Sequence, residues 1–224
     1  SIQYDSLVER TINHDDNFVQ RLKNGFTYLQ ERPLILLFGA TSGFVFASIL
    51  VCSFFTLPIF IEQYLHGSQS VYGFTEAAFA FGSLLSGFLI LAIFPKHKLT
   101  LGIIILGFLA GLMYLFIGVN KNFTLLYLAY GVIGFANAGI RVMRTTYIFS
   151  VIDNNIIGRT GSVFMVINAL FRILLIGLFS IPLFATEQNI SHSMYILALI
   201  VILGSVILLL FYKKIRALNP NHEQ

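Results

Sequence analysis

Six long apolar stretches follow one another along this 224-residue chain, and short polar segments separate them. A helix needs about 20 apolar residues to cross the hydrocarbon core of a bilayer. A segment inside lipid must also satisfy its own backbone hydrogen bonds, which a helix does and an isolated strand does not. We therefore predict an all-α membrane protein with spans at about residues 33–61, 71–94, 99–119, 124–152, 159–185 and 194–212.

The composition supports this class. Charged residues make up only 11% of the chain and hydrophobic residues 57%, and the mean hydropathy is +0.82. A soluble domain carries about 25% charged residues. The chain therefore has too little polar surface to face water on all sides.

Four regions follow from the pattern. Residues 1–17 are polar and predict a flexible N-terminal segment, and residues 33–212 form the predicted six-helix bundle. Residues 18–32 predict a basic amphipathic helix on the cytoplasmic membrane surface, with a soluble lead-in helix as the alternative. Residues 213–224 predict a basic cytoplasmic tail. The apolar face of the lead-in helix comprises Phe18, Leu22, Phe26 and Leu29.

The distribution of basic residues predicts the orientation. Lys96, Lys98, Arg159 and the 213–216 cluster all fall on one side of a six-span arrangement. The opposite loops hold one lysine, Lys121, and no arginine. Because lysine and arginine collect in cytoplasmic loops, both termini are predicted to be cytoplasmic. The expected location is a plasma or bacterial inner membrane, with the lipid bilayer as partner and no nucleic acid.

Two spans carry the same polar pattern, Asn137-x-x-x-Arg141 and Asn168-x-x-x-Arg172. A spacing of four residues puts both members of a pair on one helical face. Arginine in mid-span costs about 2.5–3.5 kcal/mol, so it usually faces a bundle interior or a wet cavity. These four residues are the predicted substrate contacts, suited to an anionic small organic molecule. The alternative is structural, with each arginine paired to a carboxylate or to helix carbonyls.

Other polar residues in or near the spans are candidates for structural or coupling roles. Arg144 is predicted to extend toward the membrane interface as a structural anchor, with a contact to the ligand as the alternative. Arg159, at the start of a span, is predicted to anchor to headgroups or to cap a neighbouring helix. Glu76 has two interpretations: stabilisation by the helix dipole, or a protonatable group coupled to transport, because burial favours the neutral carboxyl form.

Small residues and one proline predict features of helix packing. Gly131 and Gly134 allow a neighbouring helix to approach closely, and they would have a gating role only if those faces slide. Pro58, near the end of the first span, is predicted to kink it.

Enzyme function is not predicted. The Ala40-Thr-Ser42-Gly stretch is similar in form to an intramembrane serine protease motif, but no span contains a histidine to act as base. The chain has a single cysteine, Cys52, and no cysteine–histidine spacing for a metal. No cofactor is expected.

Three stretches resemble a known family: LKNGFTYLQERPLI, YGFTEAAFAFGSLLSG and IIGRTGSVFMVINALFR. They are similar to the C-terminal six helices of major facilitator superfamily transporters, most of all to the enterobactin-exporter and macrolide-efflux branch. The resemblance covers residues 18–212. One departure is the loop after the second span, where Pro95-Lys-His-Lys stands in place of the family's Asp-Arg and second glycine.

The resemblance implies one half of a twelve-helix fold, so the chain is expected to be a fragment or to pair with a separate chain that supplies the N-terminal six helices. It also implies a proton-coupled exporter, an antiporter for a siderophore or for drug-like molecules of the kind linked to drug resistance. The alternative function is a membrane-embedded binding or assembly module that is inactive without a partner chain.

Overall fold

The computed structural model describes residues 18–186 and 189–218. The predicted flexible segment 1–17 and the end of the basic tail, 219–224, lie outside the described residues. The described part forms eight helices, and six of them, α2 to α7, are long and apolar enough to cross a membrane, which confirms the predicted fold class. The helices are α1 Phe18–Gln30, α2 Pro33–Tyr64, α3 Gln69–Ile93, α4 Leu99–Val119, α5 Phe123–Val151, α6 Ile157–Phe179, α7 Ile190–Leu210 and α8 Tyr212–Ala217.

Two boundaries differ from the prediction by at least four residues. Helix α6 ends at Phe179 rather than near residue 185, and a separate 3₁₀ turn covers Pro182–Ala185. Pro182 has no N–H to donate, and the residue before a proline is pushed out of the helical region; Ile181 is accordingly extended, at φ −63° and ψ 131°. Helix α7 starts four residues earlier than predicted, so the polar turn Ile190–Ser193 belongs to the helix, and within it the Ser193 hydroxyl donates to the Ile190 carbonyl oxygen.

Helix α2 changes its hydrogen-bonding pattern where the sequence predicted a kink. It is α-helical from Pro33 to Val51, and π-helical segments at Cys52–Thr56 and Phe60–Tyr64 lie on either side of Pro58. Single π turns are a common way to accommodate a disrupted ladder of hydrogen bonds. The helix therefore continues through Pro58 with altered backbone pairing.

Four helices form the centre of the bundle. α2, α5, α4 and α7 pack against one another in a closed ring, while α3 packs mainly on α5 and α6 mainly on α2. The ring buries the large side chains Tyr114, Tyr130 and Tyr147. In the most apolar stretches of the two flanking helices, only 17% of α3 and 22% of α6 is buried, against 61% of α2. The described part of the chain therefore leaves most of the surface of each flanking helix uncovered.

Helices α3 and α5 touch at the level of their backbones. A Cβ atom added at Gly134 would collide with the Phe79 backbone, and one added at Gly82 would collide with the Gly131 carbonyl oxygen. The Ser83 hydroxyl also donates to the Gly134 carbonyl oxygen at 3.0 Å. This contact depends on glycine at the interface, as small-residue packing in membranes does.

Helix α1 packs on the start of α6. Leu29 is fully buried, and a Cβ atom at Gly25 would lie 2.5 Å from the Arg159 carbonyl oxygen. Phe26, which was predicted on the apolar face, is 43% exposed. The buried stripe of α1 is therefore rotated toward Gly25, where the absence of a side chain permits the contact.

Candidate functional site

Arg144 of α5 reaches across to α2. Its Nε donates to the Ser42 hydroxyl oxygen and its Nη2 to the Gly39 carbonyl oxygen, both at 3.1 Å. The guanidinium carbon also lies 5.5 Å from the centre of the Phe164 ring on α6. The guanidinium binds polar acceptors on α2 inside the bundle, where an extension toward the interface was predicted; the structural-anchor role of Arg144 stays a prediction.

Asn168 of α6 joins the same group. Its Nδ2 donates to the Gly43 carbonyl oxygen at 2.8 Å. A Cβ atom at Gly43 would lie 3.6 Å from Arg144 Nη2 and 3.7 Å from Asn168 Nδ2, so both side chains approach α2 at this glycine. We call Gly39, Ser42, Gly43, Arg144 and Asn168 the inner polar cluster.

The members of the inner polar cluster lie at similar depths. Ser42 is nine residues from the start of α2, Arg144 seven from the end of α5, and Asn168 eleven from the start of α6. At 1.5 Å per residue these positions are about 14, 10 and 16 Å from the helix ends predicted to be cytoplasmic. The cluster therefore brings three helices together inside the span.

The structure places Arg141 and Arg172 on the surface of the six-helix unit rather than in its interior. Asn137 is buried and its Oδ1 has no hydrogen-bond partner, while Arg141 is exposed. A four-residue spacing rotates a side chain by about 40°, which at the edge of a buried stripe separates a buried residue from an exposed one. The Asn–Arg pairs are therefore split between interior and surface.

No carboxylate among the described residues lies within ion-pair distance of Arg141, Arg144 or Arg172. Charged side chains inside a membrane normally pair with one another, with backbone carbonyls or with a water-filled cavity. Arg144 has carbonyl and hydroxyl acceptors but keeps its net charge. The positive charge of this region therefore has no counter-charge within the described chain.

Glu76 of α3 belongs to a second polar group near the opposite ends of the helices. The carboxylate is partly buried, its Oε1 has no hydrogen-bond partner, and it neighbours the Ser53 side chain of α2. The Tyr72 hydroxyl donates to the Ser53 carbonyl oxygen at 3.4 Å, and Tyr130 of α5 also lies beside the Ser53 side chain. We call Ser53, Tyr72, Glu76 and Tyr130 the outer polar cluster.

The helix-dipole interpretation of Glu76 fits its position poorly. The dipole effect falls off within the first turn of a helix. Glu76 is the eighth residue of α3, which begins at Gln69. Its environment is therefore set by α2 and α5.

The remaining predicted residues are members of neither cluster. Arg159 is half-buried in the first turn of α6, and Gly131 and Gly134 line the α3–α5 contact. The sequence analysis did not identify Gly39, Ser42 and Gly43 as residues of a polar site, although their small size in an otherwise bulky span was a usable signal. A surface cavity lined by residues including Phe184, His192 and Tyr195 contains none of the predicted site residues.

The fold defines a polytopic all-helical membrane protein with polar groups enclosed at two depths. A sequence profile of the Major Facilitator Superfamily matches residues 8–176, well over half of the chain. The chain belongs to this superfamily of membrane transporters, which confirms the predicted superfamily. Comparison with curated proteins and with solved structures gave no match.

Proposed function

We propose that this chain forms one half of a secondary active transporter that exports a small organic molecule carrying an anionic group. The second half, in the same or a separate chain, would supply six further helices, and substrate would bind between the halves near the midplane. The proposed substrate classes are siderophores and drug-like molecules. The observation that carries the proposal is the set of arginines Arg141, Arg144 and Arg172, which lies within the spans without a described carboxylate partner.

The uncovered faces of α3 and α6 support the need for a second half. Arg172 is exposed on α6, and Arg141 is exposed on α5 beside Thr145. An arginine facing lipid at mid-span is costly. A second half or an aqueous cleft on this side would remove that cost, and substrate in the cleft would meet both arginines.

The proposed substrate contacts combine surface and enclosed groups. Arg141 and Arg172, with Asn137 and Asn168, are the contacts inferred from sequence; we add Arg144, whose guanidinium is fixed by α2. A guanidinium binds a carboxylate through two parallel hydrogen bonds, which an ammonium cannot do. An anionic group is therefore the part of the substrate most directly recognised.

Movement against a gradient needs a coupling ion. Glu76 is the acidic residue of the outer polar cluster. We propose that its carboxylate binds the coupling cation. The sequence suggested that this cation is a proton.

The experiment measures binding of 2,3-dihydroxybenzoate and of its neutral amide to the purified protein by saturation-transfer NMR. The carboxylate should bind more tightly than the amide, and Arg172→Gln and Arg144→Gln should each weaken carboxylate binding by about 10- to 150-fold, the equivalent of a charged hydrogen bond of about 1.5–3 kcal/mol. Arg172→Lys should restore part of the loss.

The matched control is Arg32→Gln, which removes an exposed arginine that precedes the first span. It should leave carboxylate binding unchanged. Equal affinity for acid and amide, or equal loss in the Arg32 and Arg172 variants, would overturn the anionic-substrate proposal. Binding that is retained while the assembled two-half protein moves no probe would favour the assembly-module alternative.

A further inference from the structure

The first π-helical segment of α2 leaves one backbone carbonyl without a helical donor. The Leu57 N–H bonds to the Cys52 carbonyl oxygen, five residues back, rather than to Ser53. The next donor in that pattern would be the N–H of Pro58, which proline lacks. The Ser53 carbonyl oxygen is instead approached from α3, by the Tyr72 hydroxyl at 3.4 Å. The altered hydrogen-bonding pattern of α2 therefore leaves the Ser53 carbonyl oxygen facing α3, the helix that carries Tyr72 and Glu76.

Side-chain oxygens at the same place also lack partners. Ser53 is 2% exposed and its hydroxyl has no hydrogen-bond partner, and the buried Oε1 of Glu76 has none either. The two side chains are neighbours, and neither of these two atoms has a partner at ordinary hydrogen-bond distance and angle. Buried oxygens without partners lower stability. Two such neighbouring oxygens are available as ligands of one cation.

We propose that the outer polar cluster is a Na⁺ site. Its ligands are the Glu76 carboxylate, the hydroxyl and carbonyl oxygens of Ser53, and the hydroxyl oxygens of Tyr72 and Tyr130. Hard cations take oxygen ligands, and carbonyls freed by irregular helices coordinate Na⁺ in membrane transporters with broken helices. The inference rests on the proposed function only for the use of the ion as a coupling ion, not for binding itself.

The charge and donor set select a monovalent ion. Glu76 is the one carboxylate of the cluster, so it balances a single positive charge. The nearby Cys52 thiol is occupied by the Tyr130 hydroxyl at 3.3 Å, and it neighbours the buried Tyr114. Within residues 18–186 and 189–218 no group of three histidine, cysteine or acidic side chains is suited to a transition metal.

Na⁺ accounts for more of the observations than a proton does. A proton on Glu76 gives that side chain one donor, but it leaves the Ser53 hydroxyl without a partner and the Ser53 carbonyl oxygen with only the long 3.4 Å contact from the Tyr72 hydroxyl. A cation between the helices accepts lone pairs from all of these oxygens at once. The π segment, Pro58 and the unpaired serine then share one explanation.

The experiment measures binding of ²²Na⁺ to the purified protein in detergent, at fixed pH and with choline chloride holding the ionic strength constant. Wild type should bind Na⁺ saturably, and Glu76→Gln should weaken binding by about 10- to 150-fold, as expected for loss of a charged contact. Ser53→Ala removes one neutral ligand and should weaken binding by about 2- to 13-fold.

Ser86→Ala is the matched control. Ser86 is also a fully buried serine with an unpartnered hydroxyl, and it lies on α3 ten residues beyond Glu76. Its variant should bind Na⁺ as wild type does. Tyr72→Phe, which keeps the ring and removes only the oxygen, provides a second ligand variant if Ser53→Ala folds poorly.

Two results would overturn the proposal: no saturable ²²Na⁺ binding by wild type, or equal loss in the Ser86 and Ser53 variants. Neither result bears on the binding of the aromatic carboxylate at the arginines, so a failure of the Na⁺ proposal is distinguishable from a failure of the proposed function. Conversely, absence of carboxylate binding together with intact ²²Na⁺ binding would count against the proposed function and leave the Na⁺ site standing.

Discussion

Gly134→Ala tests the backbone contact between α3 and α5. The new Cβ atom would lie 2.8 Å from the Phe79 carbonyl carbon and 2.9 Å from its Cα, and closer still to the carbonyl oxygen. These are backbone atoms, so α3 as a whole must shift. Overpacking of this kind costs about 1–3 kcal/mol. A shift would also disturb the hydrogen bond from Ser83 to Gly134, worth about 0.5–1.5 kcal/mol.

The change also brings a gain. Alanine is favoured over glycine in a helix by about 1 kcal/mol. The net expectation is a loss of about 1–3 kcal/mol in unfolding free energy, which for a chain of this length lowers the melting temperature by about 2–12 °C.

Cys52 provides the assay, because it is the single cysteine and is fully buried. A thiol-reactive fluorophore therefore reports unfolding as the temperature is raised. Gly87→Ala is the control, since Gly87 lies on α3, the helix that Gly134 contacts, and a Cβ atom there would meet nothing within 4 Å. If Gly134→Ala melts at the same temperature as Gly87→Ala, the inferred backbone contact is refuted.

Three further predictions follow from the same structure. Cysteines introduced at Lys96 and Asp153 should react with impermeant reagents only from the cytoplasmic side, and those at Lys121 and Asn189 only from outside; external labelling at position 96 would reverse the orientation. Asn122→Ala should cost about 1 kcal/mol in thermal unfolding, because its Oδ1 accepts from two N–H groups at the start of α5; Asn122→Asp should keep the cap, and equal melting of the two would contradict this. Under the half-transporter proposal, the chain reconstituted alone should not move 2,3-dihydroxybenzoate into vesicles, because substrate would bind between two halves; uptake above empty vesicles would count against that proposal.

Hydropathy alone located the six spans, because lipid imposes length and apolarity on every one of them. The ends were harder to place. The predicted end of the fifth span near residue 185 ignored the way Pro182 forces Ile181 out of the helix. Polar turns such as the one around Ser193 extend helices beyond the apolar run, and a hydropathy pattern does not show them.

The site was only partly predictable. Sequence spacing showed that Arg141 and Arg144 lie in one span, but it does not tell which one faces a neighbour. That depends on where α2 presents acceptors, and the acceptors are a backbone carbonyl at Gly39 and a hydroxyl at Ser42. Backbone groups carry no sequence signature. The Ser53 carbonyl escaped prediction for the same reason, since it is freed by a π turn and not by a residue type.

Helix α2 carries contacts of both polar clusters on a single continuous rod, with Gly43 near one and Ser53 ten residues further along in the other. If α2 tilted as one body about a point between Gly43 and Ser53, the two positions would move in opposite directions. Such a tilt would change the distances within the inner and the outer polar cluster at the same time.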